Sequence, residues 1–169
     1  GRHLYVAAFF SGAVVRFTRN AATGALTFAG FNDSGFDNES LPTPEGVTVT
    51  PDGSGVFLAL GSNDKIVSFR RDPVTGALIY ADEVSDDPSA PGLQGVNSVT
   101  TSLAGRYVIA AARDSGAVTV FHRDETQRLT QVQVELSGPG VPLAGARGIG
   151  VGPGSVYATA GTGDAVVAF

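Results

Sequence analysis

Apolar residues in this chain recur in short runs, and the runs follow one another in a fixed order. One kind alternates large apolar with small residues (47–50, 99–102, 149–152), and the next is nearly all apolar (4–10, 56–60, 107–112, 156–160). A block of the Val-Val-x-Phe type follows, and then a run that alternates apolar and polar (26–28, 78–80, 129–134). Alternation of period two predicts strands with one solvated face, whereas a short unbroken apolar run predicts a strand covered on both faces. Turn signals separate the runs, among them Pro51-Asp52-Gly53 and the stretch Arg71-Asp72-Pro73-Val74-Thr75-Gly76, where Gly supplies the positive φ that tight turns require. Apolar spacing of 3.6 residues is absent. Four short strands, A to D in that order, are expected.

The set of four repeats. Gly1, Gly53, Gly105 and Gly154 open similar segments at spacings of 52, 52 and 49 residues, and phenylalanine returns at 17, 69, 121 and 169. Thr23-Gly24-Ala25-Leu26 is identical to Thr75-Gly76-Ala77-Leu78. Four antiparallel strands repeating every ~40–50 residues are the signature of a β-propeller blade, whereas a β-helix has a much shorter period. The expectation is an all-β, partial propeller in a single domain over 1–169, with repeats 1–52, 53–104, 105–153 and an incomplete 154–169. Read strand by strand, the chain supplies B-C-D, twice A-B-C-D, and A-B-C, about three and a half blades. An open arc leaves blade faces and strand edges bare, so other blades of the same or another chain are expected to close the ring.

Composition narrows the classes of function. The 169 residues carry 11 basic and 16 acidic side chains, a net charge of −5, and no basic stripe of the kind that neutralises phosphates, so nucleic acid is not an expected partner. No apolar stretch reaches the roughly 20 residues of a membrane helix. The chain has no Cys and no Met. Disulfides and thiolate chemistry are therefore excluded, and the missing Met suggests a piece of a longer chain. No signal peptide is visible and the compartment stays open. No G-x-S-x-G, Walker or H-E-x-x-H motif is present, and nothing calls for a cofactor.

The pattern G-x-x-L/V-Y/F-V…V-x-x-F-x-R-[DN]-x-x-T-G-A-L, clearest in 69–78, resembles the lactonase-type β-propellers: 6-phosphogluconolactonase-like proteins and the related YVTN repeats. The resemblance covers essentially the whole chain. Its residues recur in every blade, so their expected work is structural: the Phe packs between blades and the Asp-Pro-x-Thr-Gly loop sets a hairpin. It implies that chemistry, where present, lies at the central channel mouth and uses acidic, Arg and His side chains from several blades.

Repeat-equivalent positions share a structural role, so ionisable residues that diverge there mark candidate sites. In a propeller the D–A and B–C loops lie on the mouth face, and the residue just before strand A points to it. By register these are Glu45, Asn97 and Arg147, a set suited to a polar or anionic small molecule or to polarising a carbonyl. Among the B–C loops, Arg113 departs from the small Gly61 and Gly161 and stands beside Asp114. His3 and His122 fall on the opposite face as half-exposed surface residues, which leaves Glu45, with Arg147, as the catalytic candidates. The acidic segments 33–39 and 82–87 read as mobile loops, and no metal site is assigned. Two functions follow: a binding or interaction scaffold within a larger propeller, or a lactone hydrolase acting at the mouth.

Overall fold

The computed structural model describes residues 1–34 and 40–169. The described residues form fourteen strands in four antiparallel sheets. The first sheet is β1 (His3–Ala8), β2 (Ala13–Arg19) and β3 (Leu26–Asn32). The second is β4 (Pro44–Val49), β5 (Gly55–Leu60), β6 (Lys65–Arg71) and β7 (Leu78–Ser85). The third is β8 (Val96–Thr101), β9 (Tyr107–Ala112), β10 (Ala117–Arg123) and β11 (Leu129–Leu136). The fourth is β12 (Ala146–Gly152), β13 (Ser155–Ala160) and β14 (Ala165–Ala168). Each sheet is a meander, with the strand A of one sequence repeat pairing to strand B of the next. The chain is thus a partial β-propeller.

The sheets stack face to face, and each seam has its own apolar core. Tyr5 and Val14 pack with Leu58, Val67 and Phe69 in the first seam. Phe57 and Ile66 pack with Val108, Ala110 and Phe121 in the second, and Ile109 and Val118 with Leu143 and Ala158 in the third. Phe69 and Phe121, fully buried, join adjacent sheets as the repeat pattern predicts. β5, and β9 beyond its first residue Tyr107, are buried on both faces because they have a sheet on either side. The same apolar pattern in β1 and β13 leaves Leu4, Val6 and Tyr157 exposed on the outer faces of the end sheets. For those two strands, cover on both faces is not what the structure shows.

Several boundaries differ from the sequence reading. The first B strand ends at Ala8, and Phe9–Ser11 is a 3-10 turn closed by Gly12 in the left-handed region (φ 57°). Arg71 belongs to β6 rather than to the hairpin loop. Residues 82–85 belong to β7, and Asp86 and Asp87 accept backbone N–H bonds from Gly92, Leu93, Ser89 and Ala90. That acidic segment is a strand end and a pair of local caps, not a mobile loop. Of the other acidic segment, residues 35–39 lie outside the described residues. Leu41, Leu93 and Leu143, one from each D–A connection, are buried and plug the seams from the mouth side.

Candidate functional site

The D–A and B–C loops do share one face. Asp64 accepts from Gly95 N, Arg113 N donates to Gly95 O, Ser137 N to Gly116 O, and Gly161 N to Gly145 O. The three candidate residues of strand A do not precede the strand, however. They lie inside it. Pairing of β4 with β5 skips from Pro44 to Gly46, that of β8 with β9 from Val96 to Ser98, and that of β12 with β13 from Ala146 to Gly148. Glu45, Asn97 and Arg147 are therefore the extra residues of three β-bulges at one repeat position. A bulge leaves its residue out of the ladder and re-aims its side chain, which is how a strand otherwise committed to inter-strand bonding presents a polar group at the mouth.

Each bulge side chain has a partner position in the neighbouring B–C loop. A Cβ at Gly61 would collide with the Glu45 carboxylate, and one at Gly161 would stand 3.2 Å from Arg147 Nε. The glycines are small because a long bulge side chain lies over them. In the third sheet the arrangement is inverted: the bulge residue is the shorter Asn97 and the loop residue is Arg113. Arg113 donates to Asp114 through Nε at 2.9 Å and Nη2 at 3.3 Å. This bonding holds the Asp114 carboxyl below the usual carboxylate range and strengthens the Arg113 cation, to which the Glu45 charge also contributes. The pair is solvated, so it adds little to stability. Asp114 in turn sits over Gly95 (φ 65°).

The structure thus brings Glu45, Asn97, Arg113 and Asp114 onto one stretch of the rim. A Cβ at Gly46 would stand 2.9 Å from the Asn97 carbonyl, so β4 and β8 run close together here. Asn97 Oδ1 is buried without a hydrogen-bond partner. Arg147 stands one sheet further on, exposed, and among the described residues no ion pair joins it to Glu45 or Asp114. Among the described residues no group of three or more His, Asp or Glu side chains could hold a metal. The three concavities described lie elsewhere: about 480 Å³ between the outer strands β7 and β11, about 310 Å³ beside His3 and Arg71, and about 280 Å³ beside Leu103 and Phe169.

The opposite face carries a structural device that the sequence reading did not resolve. The Arg ending each of the first three strands C donates to the carbonyl of the glycine that opens its repeat: Arg19 to Gly1 at 3.4 Å, Arg71 to Gly53 at 2.9 Å, Arg123 to Gly105 at 2.7 Å. Arg71 and Arg123 then reach across a seam. Arg71 donates to Tyr5 Oη at 2.9 Å and meets His3 Nδ1 at 2.6 Å, while Arg123 donates to Ser54 Oγ and Asp52 and is also held by Gln127 of its own hairpin loop. The seams are filled reciprocally. His3 lies over Gly76 in the first, and Gln127 (φ 77°) lies over Gly55 in the second. His3, partly exposed, is thus also a seam residue; His122 is exposed and stacks edge-on against Tyr107. Asp72 accepts from Val74 N and from Thr75 N and Oγ, which makes the hairpin motif a cap.

Residues 1–92 match the family model described as lactonase, 7-bladed beta-propeller. The comparison with curated proteins gives no match. A candidate 6-phosphogluconolactonase from Bacteroides uniformis aligns at 19% identity with a TM-score of 0.71, over 99% of this chain and 53% of that one. The periplasmic gluconolactonase of Pseudomonas aeruginosa aligns at 22% and 0.67, over 82% of this chain and 38% of that one. Hydrazine synthase from Kuenenia stuttgartiensis aligns at 18% and 0.67, over 95% and 39%. Likeness at this level, reaching a protein of quite different name, shows the fold alone. The chain spans about half the length of the Bacteroides protein and less of the other two.

Proposed function

The chain belongs to the lactonase family of seven-bladed β-propellers, and we propose that its blades form a binding scaffold whose channel mouth takes a small polar or anionic molecule. One observation carries this reading. The bulge position of strand A is structurally the same in three blades, yet it holds an acid, an amide and a guanidinium. A residue kept for blade architecture recurs, as the Phe and the strand-C Arg do. Arg113 and Arg147 supply donors for a carboxylate or phosphate. Glu45 and the unpartnered Asn97 Oδ1 supply acceptors for hydroxyls. Other blades, of the same or another chain, complete the ring around that mouth.

Calorimetric titration with gluconate and 6-phosphogluconate tests the proposal. At least one is expected to bind, and Arg113→Ala and Arg147→Ala are each expected to weaken it about tenfold or more while leaving the melting temperature nearly unchanged, since both side chains are partly or fully exposed. Absence of heat with both probes overturns it.

The second reading, lactone hydrolysis, is favoured by the half-buried Glu45 carboxylate standing in the field of Arg113. Glu45 would take a proton from water as the water oxygen bonds to the lactone carbonyl carbon. The arginines would stabilise the oxyanion, and the ring oxygen would leave with a proton. Glu45→Gln is then expected to abolish δ-gluconolactone turnover; turnover equal to the parent protein removes Glu45 from the mechanism.

A further inference from the structure

The first seam holds a titratable group where the second, at the same repeat position, holds none. Arg71 ties the two sheets of the first seam together. Its Nε donates to Tyr5 Oη, its Nη1 to Gly53 O, and its Nη2 lies 2.6 Å from His3 Nδ1. Tyr5 Oη passes the chain on to Gly76 O at 2.6 Å. An arginine is always a donor, so His3 Nδ1 is the acceptor and the ring is neutral with its proton on Nε2. A proton arriving at Nδ1 removes the acceptor and sets imidazolium against guanidinium.

The surrounding groups make that clash worse. Arg71 from β6, Arg16 from β2 and Arg2 from the residue beside it all disfavour the imidazolium, and only Asp72 from the hairpin loop opposes them. Asp52, which lines the same cavity of about 310 Å³, is turned to Thr50, Ser54 and Arg123. In the second seam Arg123 is held by Asp52, Ser54, Gln127 and Gly105. There Gly55 occupies the His3 position and Gln127 the Gly76 position, so no group titrates near neutrality.

We propose that the His3–Arg71 contact is an acid-sensitive latch: protonation of His3 releases the first sheet from the second, while the second and third sheets stay joined. Burial, and then the three arginines, lower the pKa of His3 below its ordinary 6.5. The unfolded chain therefore binds a proton that the folded chain refuses. The stabilisation is whole above pH 6.5 and is lost as pH falls below it, toward the depressed folded value.

Thermal unfolding from pH 7.5 to 5 tests the latch on the parent protein, His3→Gln and His122→Gln; these are the two histidines of the chain. The parent and His122→Gln are expected to lose melting temperature below pH 6.5, and His3→Gln, which keeps an acceptor for Arg71, to lose that step. Hydrogen exchange at pH 5 is expected to accelerate in β1 and β2 at least tenfold more than in β9 and β10. An unaltered step in His3→Gln overturns the latch, as does uniform exchange. Should His3→Gln fold poorly, the ring nitrogen shifts of the parent decide: a midpoint for His3 at or above 6.5, or a protonated Nδ1 at pH 7.5, is equally fatal.

Discussion

The same phenylalanine occurs in every repeat, and the structure assigns it very different energetic weight. Phe69 is 0% exposed, packs with Tyr5 and Val14 across the first seam and with Leu58 of its own sheet, and meets the Tyr80 ring edge-on at 6.4 Å. Truncation to alanine removes its transfer free energy and leaves a void that two flanking sheets hold open. Together these cost about 3–5 kcal/mol. Phe169 occupies the same repeat position but is 42% exposed on the fourth sheet. Only a little over half of its side chain leaves water, and no enclosed void forms, so Phe169→Ala is expected to cost about 1 kcal/mol. For a chain of this size each kcal/mol moves the melting temperature by about 2–4 °C. The pair should then differ on the order of 10 °C against about 3 °C. Urea denaturation at constant m-value is the assay. Equal losses would mean that the concavity beside Leu103 and Phe169, at the third seam, is closed in solution. A loss under about 1 kcal/mol at Phe69 would mean that the first seam is not packed as described.

Two further outcomes rest on the opposite face. Gly55→Ala drives its Cβ into Gln127 and should destabilise, whereas Gly55→Ala combined with Gln127→Gly should regain part of the loss; additive losses in that double-mutant cycle would refute the reciprocal filling. Burial opposes ionisation of Asp52, but hydrogen bonds from Thr50, from Ser54 N and Oγ, and from Arg123 hold its carboxyl well below the usual range. Its contribution is therefore present above about pH 4 and lost as pH falls below that value. Asp52→Asn should flatten the acid limb of the stability profile, and an unchanged limb would show that the carboxylate contributes nothing.

The blades were legible in the sequence because every blade solves the same local problem. Alternation of apolar residues, turn glycines and the recurring Phe name strand, turn and seam without reference to any distant residue. The capped hairpin at Asp72 was legible for the same reason. Leu41, Leu93 and Leu143 also keep the repeat register, yet each stands alone among loop residues, so no periodicity draws attention to it. The candidate rim residues were found by their divergence, and their neighbourhood on the mouth face followed from blade topology. Their placement at bulges was not legible, since one extra residue in a strand leaves the apolar pattern almost unchanged.

Local periodicity and turn chemistry set the number of strands, their order and the meander of each sheet, and these can be read along the chain. Which faces are covered depends on the neighbouring sheets. The pattern of β1 is that of β5, but burial depends on a neighbouring sheet and not on the residues of the strand. Tertiary structure likewise decided that Gly61 and Gly161 make room for Glu45 and Arg147, and that His3 and Gln127 fill matching gaps from opposite sides of two seams. Such complementarity joins residues far apart in the chain, and a pattern read along one strand holds no trace of it.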